Sequence, residues 1–160
     1  MTEFTAWLEG TALATWVRES PSLWAYPTVL TLHTVGLAMV VGAATVVDFR
    51  LLGYGRRLRT GALAPLFPLM AFGFALNAAT GILLYIADAT TKTGQWIFYV
   101  KLALIFIALW CTFATRRIVQ ANDAVTGPDQ IPDHAARLAL LSLLLWAGAI
   151  TAGRFMAYLV

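Results

Sequence analysis

The chain has 160 residues, 60% hydrophobic and only 12% charged, with a net charge of +3 and a mean hydropathy of +0.75. These values exclude a soluble globular domain and describe an integral membrane protein, in which a small basic excess anchors loops at a membrane surface and does not signal nucleic-acid binding. A single cysteine, Cys111, sits inside an apolar run, so one chain offers neither a disulfide framework nor a thiolate cluster. It reads as a small buried hydrophobe.

The opening stretch MTEFTAWLEGTALATW is acidic and lacks a small-residue cleavage pattern behind an apolar core, so no cleaved signal peptide is expected. Residues 4–18 alternate Phe4, Trp7, Leu8, Ala12, Trp16 and Val17 with Glu9, Thr11 and Arg18, and Glu3 precedes them. Too short and too polar to span, they predict an amphipathic helix lying in the interface. Ser20-Pro21-Ser22 turns the chain and offers a hydroxyl N-cap to the next helix. Four apolar runs follow, 24–52, 66–87, 96–115 and 135–159. Each is long enough to cross a hydrocarbon core about 30 Å thick. Their connections are a basic loop with glycines at both ends, a tight polar DATTKTG, and a longer QANDAVTGPDQIPD whose Asp133 can N-cap the last span. The expectation is an all-α membrane protein, an antiparallel four-transmembrane-helix bundle with an N-terminal interfacial helix, forming one domain over 1–160.

Arg50, Arg56, Arg57 and Arg59 lie at one loop, and Arg116, Arg117 and Arg137 at the loop on the same side. The opposite loops hold only Arg18 and Lys92, with Lys101 and Arg154 near helix ends. By the positive-inside rule the arginine loops face the cytoplasm of a bacterial inner membrane, and both termini face the periplasmic side. Small residues at helical spacing, Ala38 with Gly42, Ala75 with Ala79, Gly148 with Ala152 and Ala149 with Gly153, are expected to bring helices close where lipid supplies no hydrophobic drive.

Depth along each helix groups the intramembrane polar residues. His33 and Asn77 come out at the same depth, roughly 13 Å below the outer boundary, and Lys101 and Arg154 at roughly 6 to 9 Å. If these faces converge, they form an outward-opening polar pocket for a ligand, with His33 also the one candidate metal ligand. The wheels give His33 a stripe of Gly36, Val40 and Ala44. Asn77 shares its stripe with Met70, Gly73, Thr80, Gly81, Leu84 and Asp88. Arg154 shares its face with Ala147, Thr151 and Tyr158, and Lys101 shares its face with Ile97, Leu104, Ile105 and Ala108. The plain alternatives are a packing hydrogen bond from His33 to Asn77 or Thr80, interhelical bonding by Asn77, and interfacial anchoring by Lys101 and Arg154. At the other end Asp48, Arg50, Arg116 and Arg117 are expected to form a structural ion pair or an anionic-lipid contact, with Asp48 paired to a basic residue of a neighbouring helix.

Through WLEGTALATWVRES, LHTVGLAMVVG, VDFRLLG, TGILL and YVKLAL, the chain resembles a family of small bacterial membrane proteins without an assigned activity. The most specific elements are His33-x-x-Gly36, the run Asp48-x-Arg50-Leu51-Leu52-Gly53, and Lys101. The family often carries a glutamate three residues before the histidine, where this chain has Leu30, which removes an acidic ligand or proton partner. It is distantly similar to membrane domains of copper-resistance and copper-uptake proteins and to small b-type cytochromes.

Several functional classes stay open on these residues. An anionic or carbonyl-bearing ligand such as a quinone or lipid head group suits a neutral histidine flanked by Lys101 and Arg154, as in a non-catalytic membrane subunit or anchor of a periplasmic redox system. Copper transport or delivery would use His33, but no methionine stands at ligand spacing from it. Haem b bound by two histidines of one chain is disfavoured, because His134 lies a bilayer thickness from His33; a single-histidine or dimer-shared haem fits better. A purely structural or assembly protein is the remaining class. Beyond the lipid bilayer, the partners compatible with these readings are a periplasmic redox protein or a second copy of the chain. Hydrolytic catalysis has no motif to carry it.

Overall fold

The computed structural model describes residues 2–123, 129 and 131–158. Every regular element among them is helical: α1 (Thr2–Glu9), α2 (Ala12–Glu19), α3 (Tyr26–Leu51), a 3-10 turn (Thr60–Leu63), α4 (Leu66–Ala87), α5 (Ala89–Gly94), α6 (Trp96–Asp123) and α7 (Ala135–Phe155). The long helices α3, α4, α6 and α7 have the length and apolarity to cross a membrane, which satisfies every backbone amide within its own segment where no water is present. They alternate in direction, so the fold is an all-α bundle with a terminal end and an arginine end.

The bundle is two helical hairpins. α3 packs mainly on α4 and α6 on α7, and α3 joins the hairpins through α7. Glycines set the first pairing. A Cβ on Gly36 would come within 2.7 Å of the Gly73 carbonyl oxygen and 2.8 Å of the Asn77 amide nitrogen, and one on Gly73 within 2.7 Å of the Met39 Cβ. The two backbones therefore touch, which only glycine permits. The expected Ala38/Gly42 and Ala75/Ala79 pairs are corrected by this crossing: all four residues are exposed, and nothing lies within 4 Å of a Cβ on Gly42. The same spacing serves the second hairpin, where Ala149 and Ala152 are buried and Gly148 faces Leu104. Spacing identifies a helix face, but the partner decides which small face is used.

The arginine-end half is solid. Val40, Ala44 and Val47 of α3, Phe67 and Met70 of α4, Cys111 and Val119 of α6, and Ala139 and Trp146 of α7 form one buried cluster. Cys111 is fully buried, as expected of a small hydrophobe. At the terminal end a smaller cluster is formed by Ile97, Ala152 and Met156. Phe72, Phe106, Trp110, Phe113 and Leu144 point outward, more than half exposed, an apolar belt suited to lipid contact.

Four expectations about bounds are corrected. The interfacial helix 4–18 is two helices broken at Gly10, because Thr11 turns its hydroxyl to the Ala14 amide (3.3 Å) and N-caps α2. Both dock on the terminal end: Glu9 accepts from the Thr90 amide (2.6 Å) and Arg18 donates to the Ala87 carbonyl (3.1 Å). The DATTKTG connection contains helix α5, with Lys92 paired to Asp88 at 3.1 Å. The third span does not stop near Thr115; α6 continues to Asp123, since its extension buries Val119 and Asn122 and packs against the 3-10 turn. α7 starts after His134 rather than on an Asp133 cap, and ends at Phe155; Leu159, the expected last residue, lies outside the described residues, as do 124–128 and 130 of the long loop.

Candidate functional site

His33 is fixed by the glycine crossing. Because Gly36 lets α4 approach, the His33 Nδ1 reaches the Asn77 carbonyl oxygen at 2.9 Å and the Thr80 Oγ1 at 3.2 Å. A carbonyl can only accept, and the Thr80 hydroxyl already donates to the Leu76 carbonyl (2.7 Å). Nδ1 must therefore carry the proton, and in the neutral ring Nε2 is left with its lone pair. The Asn77 Nδ2 donates to the His33 carbonyl at 2.7 Å, so the residue clamps both ring and backbone. Gly81 supplies the space: a Cβ there would lie 3.1 Å from the imidazole Cε1.

His33 and Asn77 line a cavity of about 780 Å³ between α3, α4, α6 and α7, together with Lys101, Arg154, Trp146 and Tyr85. Nε2 has no hydrogen-bond partner among the described residues and is not sealed from the cavity. Lys101 turns inward, its side chain lying along α7 at Gly153, where a Cβ would be 3.6 Å from Cε. Neither it nor Arg154 forms an ion pair among the described residues, whereas Lys92 pairs with Asp88 at 3.1 Å and Arg18 with Glu19 at 2.9 Å. The cavity thus holds an uncompensated cation beside a lone-pair nitrogen. Trp146, 3% exposed, bounds it below with its indole N–H unpaired. Tyr85 of α4 and Phe98 of α6 stack across it with ring centroids 5.4 Å apart.

The expected quartet is therefore gathered, with one adjustment. Arg154 lines the cavity, but its face with Ala147, Thr151 and Tyr158 is exposed rather than interior, so it serves as a rim. The stripes expected around His33, Asn77 and Lys101 do face inward, since Gly36, Val40, Ala44, Gly73, Thr80, Ile97 and Ala108 are all buried. Sequence reasoning gives Trp146 and Tyr85 no role, because an aromatic on an apolar helix carries no sign of which neighbour it meets.

At the arginine end the expected Asp48 ion pair is corrected. Asp48 faces α7 and hydrogen-bonds Ser142, and its Oδ2 is buried without a partner. Arg50, two residues on and so on the opposite side of the helix, points instead into the loops. Its Nη2 meets the Asp129 Oδ2 at 2.6 Å and its Nε donates to the Leu58 carbonyl at 2.6 Å. The same carboxylate oxygen accepts from the Thr60 amide (2.9 Å) and hydroxyl (2.6 Å). Those Thr60 hydrogen bonds, with the Arg50 charge, hold the Asp129 carboxyl below its usual range against the opposing effect of desolvation. Arg116 and Arg117 are exposed and form no ion pair among the described residues. The run from Asp48 to Gly53 also ends α3: Gly53 at φ +97° places its amide on the Arg50 carbonyl (3.1 Å) and the Tyr54 amide on that of Phe49 (3.0 Å), a Schellman closure.

Among the described residues no three His, Cys, Asp or Glu side chains come together as a metal-binding group. Met156 lines the His33 cavity, whereas Met70 is buried in the core. The chain matches no protein-family model, no curated protein and no solved structure.

Proposed function

We propose that the terminal-end cavity binds a quinol or quinone, and that the chain is a non-catalytic membrane subunit or anchor holding this ligand for an exported redox protein. The observation that carries the reading is the pairing of a lone-pair His33 Nε2 with the unpaired Lys101 in one largely apolar cavity. A quinol hydroxyl donates to Nε2 while the oxygen across the ring accepts from Lys101, and Leu30, Leu37 and Ile105 give the ring and tail apolar walls. The tight Nδ1 anchor prevents the imidazole from turning away. The gathering of arginines at the opposite loops supports an orientation with the cavity in the outer half of a bacterial inner membrane and both termini on the periplasmic side, within reach of a periplasmic partner.

Quinone extracted from protein purified in native lipid discs tests this. The wild type is expected to retain quinone above the ratio of the surrounding lipid, and Lys101→Met to lower that retention about tenfold, the worth of one hydrogen bond to a charged group. Retention at the bulk-lipid ratio in the wild type overturns the reading.

One observation favours a second reading. An imidazole whose Nδ1 is tied to a backbone carbonyl is also the arrangement of a metal-ligating histidine, which suits haem b or copper with His33 as the protein ligand. A Soret band or copper in the purified wild type, lost in His33→Ala, selects that reading over the quinone.

A further inference from the structure

A second cleft, of about 500 Å³, lies between α6 and α7 at the arginine end. Its lining divides by depth. Arg117 and His134 stand at one end, both exposed, with Ile118 beside them, and Trp110, Phe113 and Leu138 form the wall. Counted at the helical rise, Arg117 is about 31 Å from the start of α6 and so at the far boundary of a hydrocarbon core, while Trp110 lies about 10 Å nearer its centre. The cleft is therefore cationic at headgroup depth and aromatic at acyl-chain depth.

Its charge is not used within the chain. Neither Arg117 nor His134 forms an ion pair among the described residues. Asp129 is taken up by Arg50 and Thr60, and Asp133 is exposed beside His134 without lining the cleft. Trp110 and Phe113 are each 61% exposed, so the wall is not covered by another element among the described residues.

We infer that this cleft is a binding site for one anionic phospholipid of the leaflet on the arginine side. The headgroup phosphate accepts hydrogen bonds from the Arg117 guanidinium, with His134 beside it, and the first part of an acyl chain lies along Trp110 and Phe113. The site is separate from the His33 cavity and does not depend on what that cavity holds.

Native mass spectrometry of the full chain, exchanged between phosphatidylcholine and a phosphatidylcholine–phosphatidylglycerol mixture, tests the assignment. The wild type is expected to keep one phosphatidylglycerol in preference to phosphatidylcholine, and Arg117→Gln to reduce that preference about fivefold. Arg116→Gln, whose residue is exposed and outside the cleft lining, is expected to leave it unchanged and controls for general surface charge. Trp110→Ala is expected to shorten the retention of both lipids. Equal retention of the two lipids by the wild type, or equal losses in Arg116→Gln and Arg117→Gln, overturns the site.

Discussion

Two polar sites, one at each end of the bundle, treat their groups in opposite ways. At the arginine end Arg50 and Asp129 are paired at 2.6 Å, with side chains only 8% and 13% exposed, and Thr60 adds two further donors to the same oxygen. At the terminal end Lys101 has no anion among the described residues, His33 presents an open Nε2, and a cavity replaces the packed core. Satisfied polar groups fix geometry, whereas the unsatisfied groups around the cavity are those the proposed ligand would engage. At the first site, Asp129 of the second hairpin ties Arg50 and Thr60 of the first hairpin to it.

The contrast can be broken most strongly at its satisfied end. Asp129→Ala leaves Arg50 buried without its anion and is expected to cost about 3 kcal/mol in reversible unfolding in mixed micelles; a loss within error of zero would show that the loop contact is incidental. Gly36→Ala drives a Cβ into the α4 backbone and is expected to cost about 2 kcal/mol. It should also release the His33 ring, seen as a changed imidazole NMR signal. A smaller effect comes from acid. Because the folded Asp129 carboxyl is held below its usual range by the Thr60 bonds and Arg50, its contribution is complete above the unfolded value of about 4 and is lost as pH falls from there through the folded value. Unfolding measured down that range should show a stability loss in the wild type that Asp129→Asn lacks.

Changes at the open end should act the other way. Lys101→Met removes an uncompensated cation and is expected to raise stability by up to about 1 kcal/mol while weakening ligand retention; lowered stability would mean that Lys101 serves packing. The smallest effect is expected at Gly42→Ala. It faces open space within α3, so replacing glycine should stabilise by less than about 1 kcal/mol, opposite in sign to the same change at Gly36.

Much of the candidate site is legible in the amino-acid sequence. Depth counted at about 1.5 Å per residue groups His33, Asn77, Lys101 and Arg154, and small stripes identify the buried faces of α3 and α4. Asp129 is not legible: it stands in a polar loop near Asp123 and Asp133, and nothing local distinguishes the one that Arg50 reaches. The partner of Asp48 is hidden for a related reason. Two residues along a helix carry a side chain to the opposite side, sending Asp48 toward α7 and Arg50 toward the loops, and adjacency in the chain gives no sign of that separation.

The sequence by itself determined the four long apolar helices and the end at which arginines gather, because hydrocarbon thickness and helical rise act on each segment alone. It also determined the residues able to form a site. Only the tertiary structure decided which small faces meet, that Gly36 and not Gly42 admits a neighbouring helix, and that His33 turns Nδ1 to α4 and Nε2 to the cavity. Those are properties of pairs of helices. In a chain whose helices are apolar nearly all round, the choice of partner rests on backbone approach and a few polar contacts, which no single segment encodes.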